Sequence, residues 1–195
     1  MNFPSSQVDE GDFQIHPAKD SNHKDLAFST SINISDDMYG MENYYTKEIL
    51  EHFALNPNNL FLICEYNKQY FGHIFLLRLK MPVYQKVLQF QKDLLEIEDH
   101  DIAAATEQGA YFFTGMFTMN DKALSLLFVR LYADLILNQD HLSALGTVMI
   151  KEDAETMARN INMKKVGSQE ELIAYSGYLK EIFLNEQVIK ILFSS

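Results

Sequence analysis

The chain has 195 residues, 47% of them hydrophobic and 22% charged, a balance that belongs to soluble globular proteins and excludes disordered, fibrous and bilayer-embedded classes. Sixteen basic against twenty-seven acidic residues leave a net charge of -11, and arginine occurs only at Arg78, Arg130 and Arg159, which excludes broad nucleic-acid binding. Cys64 is the single cysteine and sits in the apolar run Leu60 to Cys64, so no internal disulfide can form and a buried, inert thiol in a reducing cytoplasmic setting is expected.

Met1 to Asp12 is polar and lacks an apolar period, so it reads as a flexible leader, and residues 13–195 as one domain. Phe13 to Ala18 alternates apolar and polar residues as a short strand does, ended by Pro17. Asp20 and Ser21 can cap a helix through Ala27, after which Ser29 to Gly40 reads as loop. Glu42 to Leu55 places Tyr45, Ile49, Leu50 and Phe53 at helical spacing until Asn56-Pro57 stops it. The runs Leu60 to Tyr66 and Tyr70 to Leu79, split by Asn67-Lys68-Gln69, form the clearest hairpin in the chain.

An amphipathic segment from Val83 to Ile97 follows Pro82, then a charged loop at Glu98 to Asp101. Ala110 to Met119 is rich in aromatic and β-branched residues and predicts a strand. The period then changes, and Asp121 to Asn138 predicts a helix with Leu124, Leu127, Phe128, Leu131 and Leu135 facing inward. A strand at Leu142 to Ile150, a helix at Asp153 to Met163 and a strand at Ile173 to Phe183 complete a mixed α/β order, while Asn185 to Leu192 fits either a short helix or a last strand.

Met1 to Asp20 has no basic region followed by an apolar stretch, and the longest apolar segment, Ala123 to Leu137, is broken by Ser125, Arg130, Tyr132 and Asp134. Neither a signal peptide nor a spanning helix is expected, and no membrane partner. His16, His23, His52, His73, His100 and His141 form no His-Glu-x-x-His and none pairs with Cys64 at a ligand spacing, so no metal is expected. No nucleophile elbow, phosphate-binding P-loop or dinucleotide fingerprint occurs. The paired aromatics Tyr44-Tyr45 can line an acceptor pocket or serve as core.

Three phrases carry a family resemblance. Phe13-Gln-Ile-His-Pro-Ala-Lys-Asp20 with Lys24-Asp25-Leu26 resembles the opening strand and first helix of the Gcn5-related N-acetyltransferase (GNAT) superfamily, with His16 where that family commonly has arginine. Leu60 to Phe75, with Gly72 opening its second half, is similar to the family's second and third strands. Ala154 to Gly167 is similar to its late helix and the phrase leading into its sixth strand. The resemblance spans Phe13 to Phe183 and implies an α+β fold: a mixed, largely antiparallel twisted sheet flanked by helices on both faces.

It also implies a function, acyl transfer from a CoA thioester, with acetyl-CoA as co-substrate and an amine or basic peptide as acceptor. Aligning the family's paired leucines with Leu126-Leu127 puts its pyrophosphate loop on Thr118-Met119-Asn120-Asp121-Lys122-Ala123, flanked by Phe117 and Leu124, and only Ala123 fits the family's pattern of small residues. Asp121 stands at the first glycine position, where a carboxylate repels phosphate unless Lys122 offsets it. Asn120 or Asp121 is equally a plain helix N-cap. Glu107 is the candidate base, with a solvated loop acid as its other reading. The family's acid tyrosine falls near Ala158, which leaves Tyr175, with Tyr111 and Tyr178, as substitutes. A member of the fold that has lost catalysis and binds a ligand or partner is the alternative, and pairing of edge strands into a homodimer fits either reading.

Overall fold

The computed structural model of the chain describes residues 12–39, 46–150, 158 and 161–184. Most of the expected leader, Tyr44, Tyr45, most of the helix expected at Asp153 to Met163 and the segment from Asn185 onward lie outside the described residues.

Seven strands make one sheet: β1 Phe13–Pro17, β2 Leu60–Tyr66, β3 Gln69–Lys80, β4 Gly109–Thr118, β5 Leu142–Ile150, β6 Lys164–Gln169 and β7 Leu172–Tyr178. Their spatial order is β1-β2-β3-β4-β5-β7-β6. Every neighbouring pair is antiparallel except β4 with β5, which is parallel and joined through a crossover helix. This is the mixed sheet, with helices on both faces, that the resemblance implies.

The β2–β3 hairpin forms because Asn67 and Lys68 both take positive φ, 50° and 63°, the pairing that matches the twist of antiparallel strands. Helices α1 Lys24–Tyr39, α2 Lys47–Leu55 and α3 Met81–Leu88 cover one face, where Phe28, Phe53, Phe61, Phe75, Leu77 and Phe112 pack together. The other face is covered by α4 Asp121–Leu137 and a short α5 Leu179–Phe183. There Leu76, Leu127, Leu131, Leu135 and Ile182 are fully buried, each contributing about 1.5–3 kcal/mol of transfer free energy. Among the described residues no helix is long and apolar enough to cross a membrane.

Four elements differ from the sequence reading. The segment read as a loop after Ala27 is helical to Tyr39, because Phe28 and Ile32 need only one stripe on the sheet and Ser29 bonds back to the Leu26 carbonyl at 3.0 Å instead of breaking the helix. The amphipathic segment after Pro82 ends at Leu88, where Phe90 turns left-handed at φ 56° and Asp93 caps a separate 3-10 turn, Leu94–Glu96. The strand expected to run to Phe183 stops at Tyr178 and becomes α5. β6 has no apolar alternation to announce it: its burial is almost wholly exposed, as suits a polar edge strand.

Candidate functional site

The parallel ladder between β4 and β5 runs from Gly109 opposite Leu142 to Phe113 opposite Thr147 and goes no further. β4 nevertheless continues to Thr118 along β3, and β5 continues to Ile150 along β7. The register of β3 on β4 shifts at the same place, so Phe75 faces Gly115, Leu76 faces Phe113, and Thr114 is the extra residue of a bulge. A bulge bends its strand and raises the local twist, which turns β4 away from β5. Two hydroxyls finish the edge: Thr114 Oγ1 donates to the Phe75 carbonyl at 2.8 Å, and Thr147 Oγ1 to the Phe113 carbonyl at 3.0 Å.

The split opens beneath α4 into a cavity of about 10 Å³ lined by Phe113, Phe128, Thr147, Met149, Ala158 and Met163 among others. Its walls are apolar apart from Thr147, and at this volume it has room for about one water. Ala158, where the family's tyrosine would fall, contributes only a methyl group to this wall. On the opposite face, nothing lies within 4 Å of the point that a side chain on Gly115 would occupy.

The loop ahead of α4 is more closed than the split. Asn120 is the N-cap and its Oδ1 accepts the Ala123 N–H at 2.8 Å. The Leu124 N–H is held by the Asn120 carbonyl at 3.1 Å, and the Met119 N–H by the Phe71 carbonyl at 2.9 Å. Ala123 is completely buried in the core under α4, so only its backbone belongs to the loop. Asp121 and Lys122 are exposed in the first turn, and Lys122 Nζ stands 5.0 Å over the Phe13 ring. Phe117 stacks on Tyr70 across the α1 face, centroids 6.2 Å apart, while Thr118 ends β4 opposite Gly72. Gly72 is required there: its φ is 156°, and a Cβ would stand 2.5 Å from the Phe117 carbonyl oxygen.

The two catalytic candidates are separated. Tyr175 is buried on β7 directly opposite Thr147, in the apolar cluster that faces α4, and does not line the cavity. Glu107 precedes β4 at its closed end, where Oε2 accepts the Ala104 N–H at 2.9 Å and Lys80 Nζ lies 3.9 Å from Oε1. From there to Phe113 is about 20 Å of extended chain, so the structure does not bring Glu107 to the split. Tyr111 gives its hydroxyl to Asp134 at 2.8 Å near the same closed end. Tyr178 is 58% exposed opposite Ala144.

Sequence reasoning passed over a polar chain on the α1 face. His73 of β3 is buried between the Tyr70 hydroxyl, 2.5 Å from Nδ1, and the Ser31 hydroxyl, 2.7 Å from Nε2. Burial lowers the imidazole from 6.5 to about 3 and keeps it neutral, and burial raises the Tyr70 phenol well above its ordinary value. The available signal was His73 standing inside the apolar strand Tyr70 to Leu79, since a polar group buried there needs partners. Among the described residues no group of three or more His, Cys, Asp or Glu side chains is placed to hold a metal.

No family model matches the sequence, and no curated protein matches it. Solved structures do match the fold. A GNAT-family acetyltransferase from Staphylococcus aureus Mu50 is 14% identical, with a TM-score of 0.54 over 86% of this chain and 99% of that one. The PaiA N-acetyltransferase of Thermoplasma acidophilum, solved in complex with coenzyme A, is 13% identical with a TM-score of 0.52, covering 86% of this chain and 99% of its own. An aminoglycoside 6'-acetyltransferase type Ii is 10% identical, with a TM-score of 0.54 over 86% and 97% of the two chains. The chain has the GNAT fold across most of its length.

Proposed function

We propose that this chain is an acyltransferase that moves an acetyl or related acyl group from a pantetheine thioester, of which acetyl-CoA is the reference donor, to an amine. One observation carries the reading: β4 and β5 part after Phe113 and Thr147. A parted parallel pair leaves main-chain donors and acceptors on the inner edge of Thr114 to Thr118 without ladder partners. An extended arm carrying amides can pair with that edge as an added strand does. The solved GNAT structures, one of them holding coenzyme A, support the same use of the same fold.

In the reaction the amine nitrogen bonds to the thioester carbonyl carbon, the carbon–sulfur bond breaks, the nitrogen gives up a proton and the thiolate gains one. Strand amides past the bulge hold the carbonyl and favour the charge that develops on its oxygen. In this reading Tyr175, buried opposite Thr147, returns a proton to the sulfur. The acceptor enters from the α1 face over the open position at Gly115. The net charge of -11 suits a cationic amine or basic peptide better than an anion.

Calorimetric titration with acetyl-CoA and CoA, followed by assay of free thiol over an amine library, tests the proposal. Micromolar binding and thiol release on adding one amine class are the expected results, with a melting temperature that rises with ligand by mass action. Absence of binding at millimolar ligand would remove the reading. Binding without thiol release for any amine would leave a ligand-binding module. Tyr175→Phe is expected to lower thiol release by about 10²-fold with little change in thioester affinity.

A further inference from the structure

We infer that the thioester donor is held by its pantetheine arm and that the nucleotide diphosphate of CoA adds almost nothing to affinity, because Asn120 and Asp121 have taken over the anion site at the head of α4. The inference rests on the acyl-transfer reading and narrows its donor. A helix start attracts an anion through its unbonded N–H groups and the positive end of its dipole. In this chain one donor is taken by the Asn120 cap and the dipole is met by the Asp121 carboxylate.

The Asn120 side chain occupies the Ala123 N–H at 2.8 Å, its carbonyl the Leu124 N–H at 3.1 Å, and Phe71 the Met119 N–H at 2.9 Å. Of the four amides that a helix start leaves unbonded, Asn120 caps that of Ala123, and those of Asn120, Asp121 and Lys122 stand around the Asp121 carboxylate. The Asp121 carboxylate is exposed there and already complements the dipole, so a diphosphate arriving beside it meets a like charge. Among the described residues the cations on α4 itself do not stand at the carboxylate. Lys122 Nζ lies over the Phe13 ring at 5.0 Å, and Arg130, the arginine on α4, is nine residues further along, about 13 Å by helical rise.

The arm of the donor faces the opposite situation. Between the parted strands it finds backbone along Thr114 to Thr118 that has no ladder to β5, bordered by apolar Phe113, Phe128 and Met149. These features make no demand for charge. The donor class that fits is therefore an acyl-pantetheine thioester, with or without a nucleotide attached.

The test is calorimetry of the full chain with acetyl-CoA, acetyl-pantetheine and adenosine 3',5'-diphosphate. Acetyl-pantetheine is expected to bind within about tenfold of acetyl-CoA, and the bare nucleotide not to compete with either; a gap wider than about tenfold overturns the inference. Asp121→Asn, a surface change, is expected to tighten acetyl-CoA by about tenfold and leave acetyl-pantetheine unchanged. If that variant binds acetyl-CoA no better than the native chain, Asp121 does not set donor choice and the inference is wrong. Failure of both thioesters to bind is a different result, since it removes the acyl-transfer reading itself.

Discussion

β4 has two ends that follow different rules. From Gly109 to Phe112 its residues are buried and paired on both sides, and the polar groups behind them have partners except for Arg78 Nε, which is buried without one among the described residues. Arg78, only 2% exposed, reaches under this end to the carbonyls of Ala105 and Glu107, while its backbone N–H donates to Asn59 and the Tyr111 hydroxyl meets Asp134. From Phe113 to Thr118 the strand is half-buried, its β5 side lacks a ladder past Phe113, and Gly115 faces open space. One strand thus concentrates packing at one end and leaves the other under-packed.

Removing the buried guanidinium should hurt most. Arg78→Ala strips two carbonyls of their donor and takes away positive charge near Asp134, and a loss of about 3 kcal/mol is expected in urea denaturation. Gly109→Ala is next, because the added methyl would stand 2.8 Å from both the Ala103 Cβ and the Leu79 carbonyl oxygen; overpacking of this kind costs about 2 kcal/mol. An unchanged denaturation midpoint in either variant would mean that the closed end is not the stable one.

The third measurement concerns pH. His73, opposite Phe117 under the open half, stays neutral in the fold down to about 3, whereas the unfolded chain takes up a proton below 6.5. Its contribution to stability is therefore complete above 6.5 and is lost as the pH falls toward 3, by about 1.4 kcal/mol per pH unit. His73→Gln should flatten that slope, as read from denaturation midpoints at several pH values. The smallest effect belongs to Gly115→Ala, within about 0.5 kcal/mol of the native chain, since the new methyl meets nothing. A large loss there would erase the contrast between the two ends.

Most of the fold was legible where local pattern and tertiary demand agree. The β2–β3 hairpin carried a turn that tolerates positive φ, β5 was read with its observed bounds, and the 17 residues of α4 kept one helical period. Legibility failed where tertiary contact decided. The second half of α1 is a polar run made helical by Phe28 and Ile32 on the sheet, and β6 is an edge strand whose side chains have no apolar period to show. Within the site, the loop before α4 came from resemblance and Asn120 proved to be its cap, while the Ser31, His73 and Tyr70 chain joins two elements 42 residues apart.

Local residue order alone determined that this chain would make a mixed sheet, a helix starting at Asp121 and a carboxylate at that helix head, because turn chemistry, side-chain period and charge are properties of neighbouring residues. The parting of β4 from β5, the open position at Gly115 and the distance of Glu107 from both were decided only in three dimensions. They depend on the register between strands about thirty residues apart in sequence and on one bulged residue at Thr114, and a register is fixed by the packing of both faces at once.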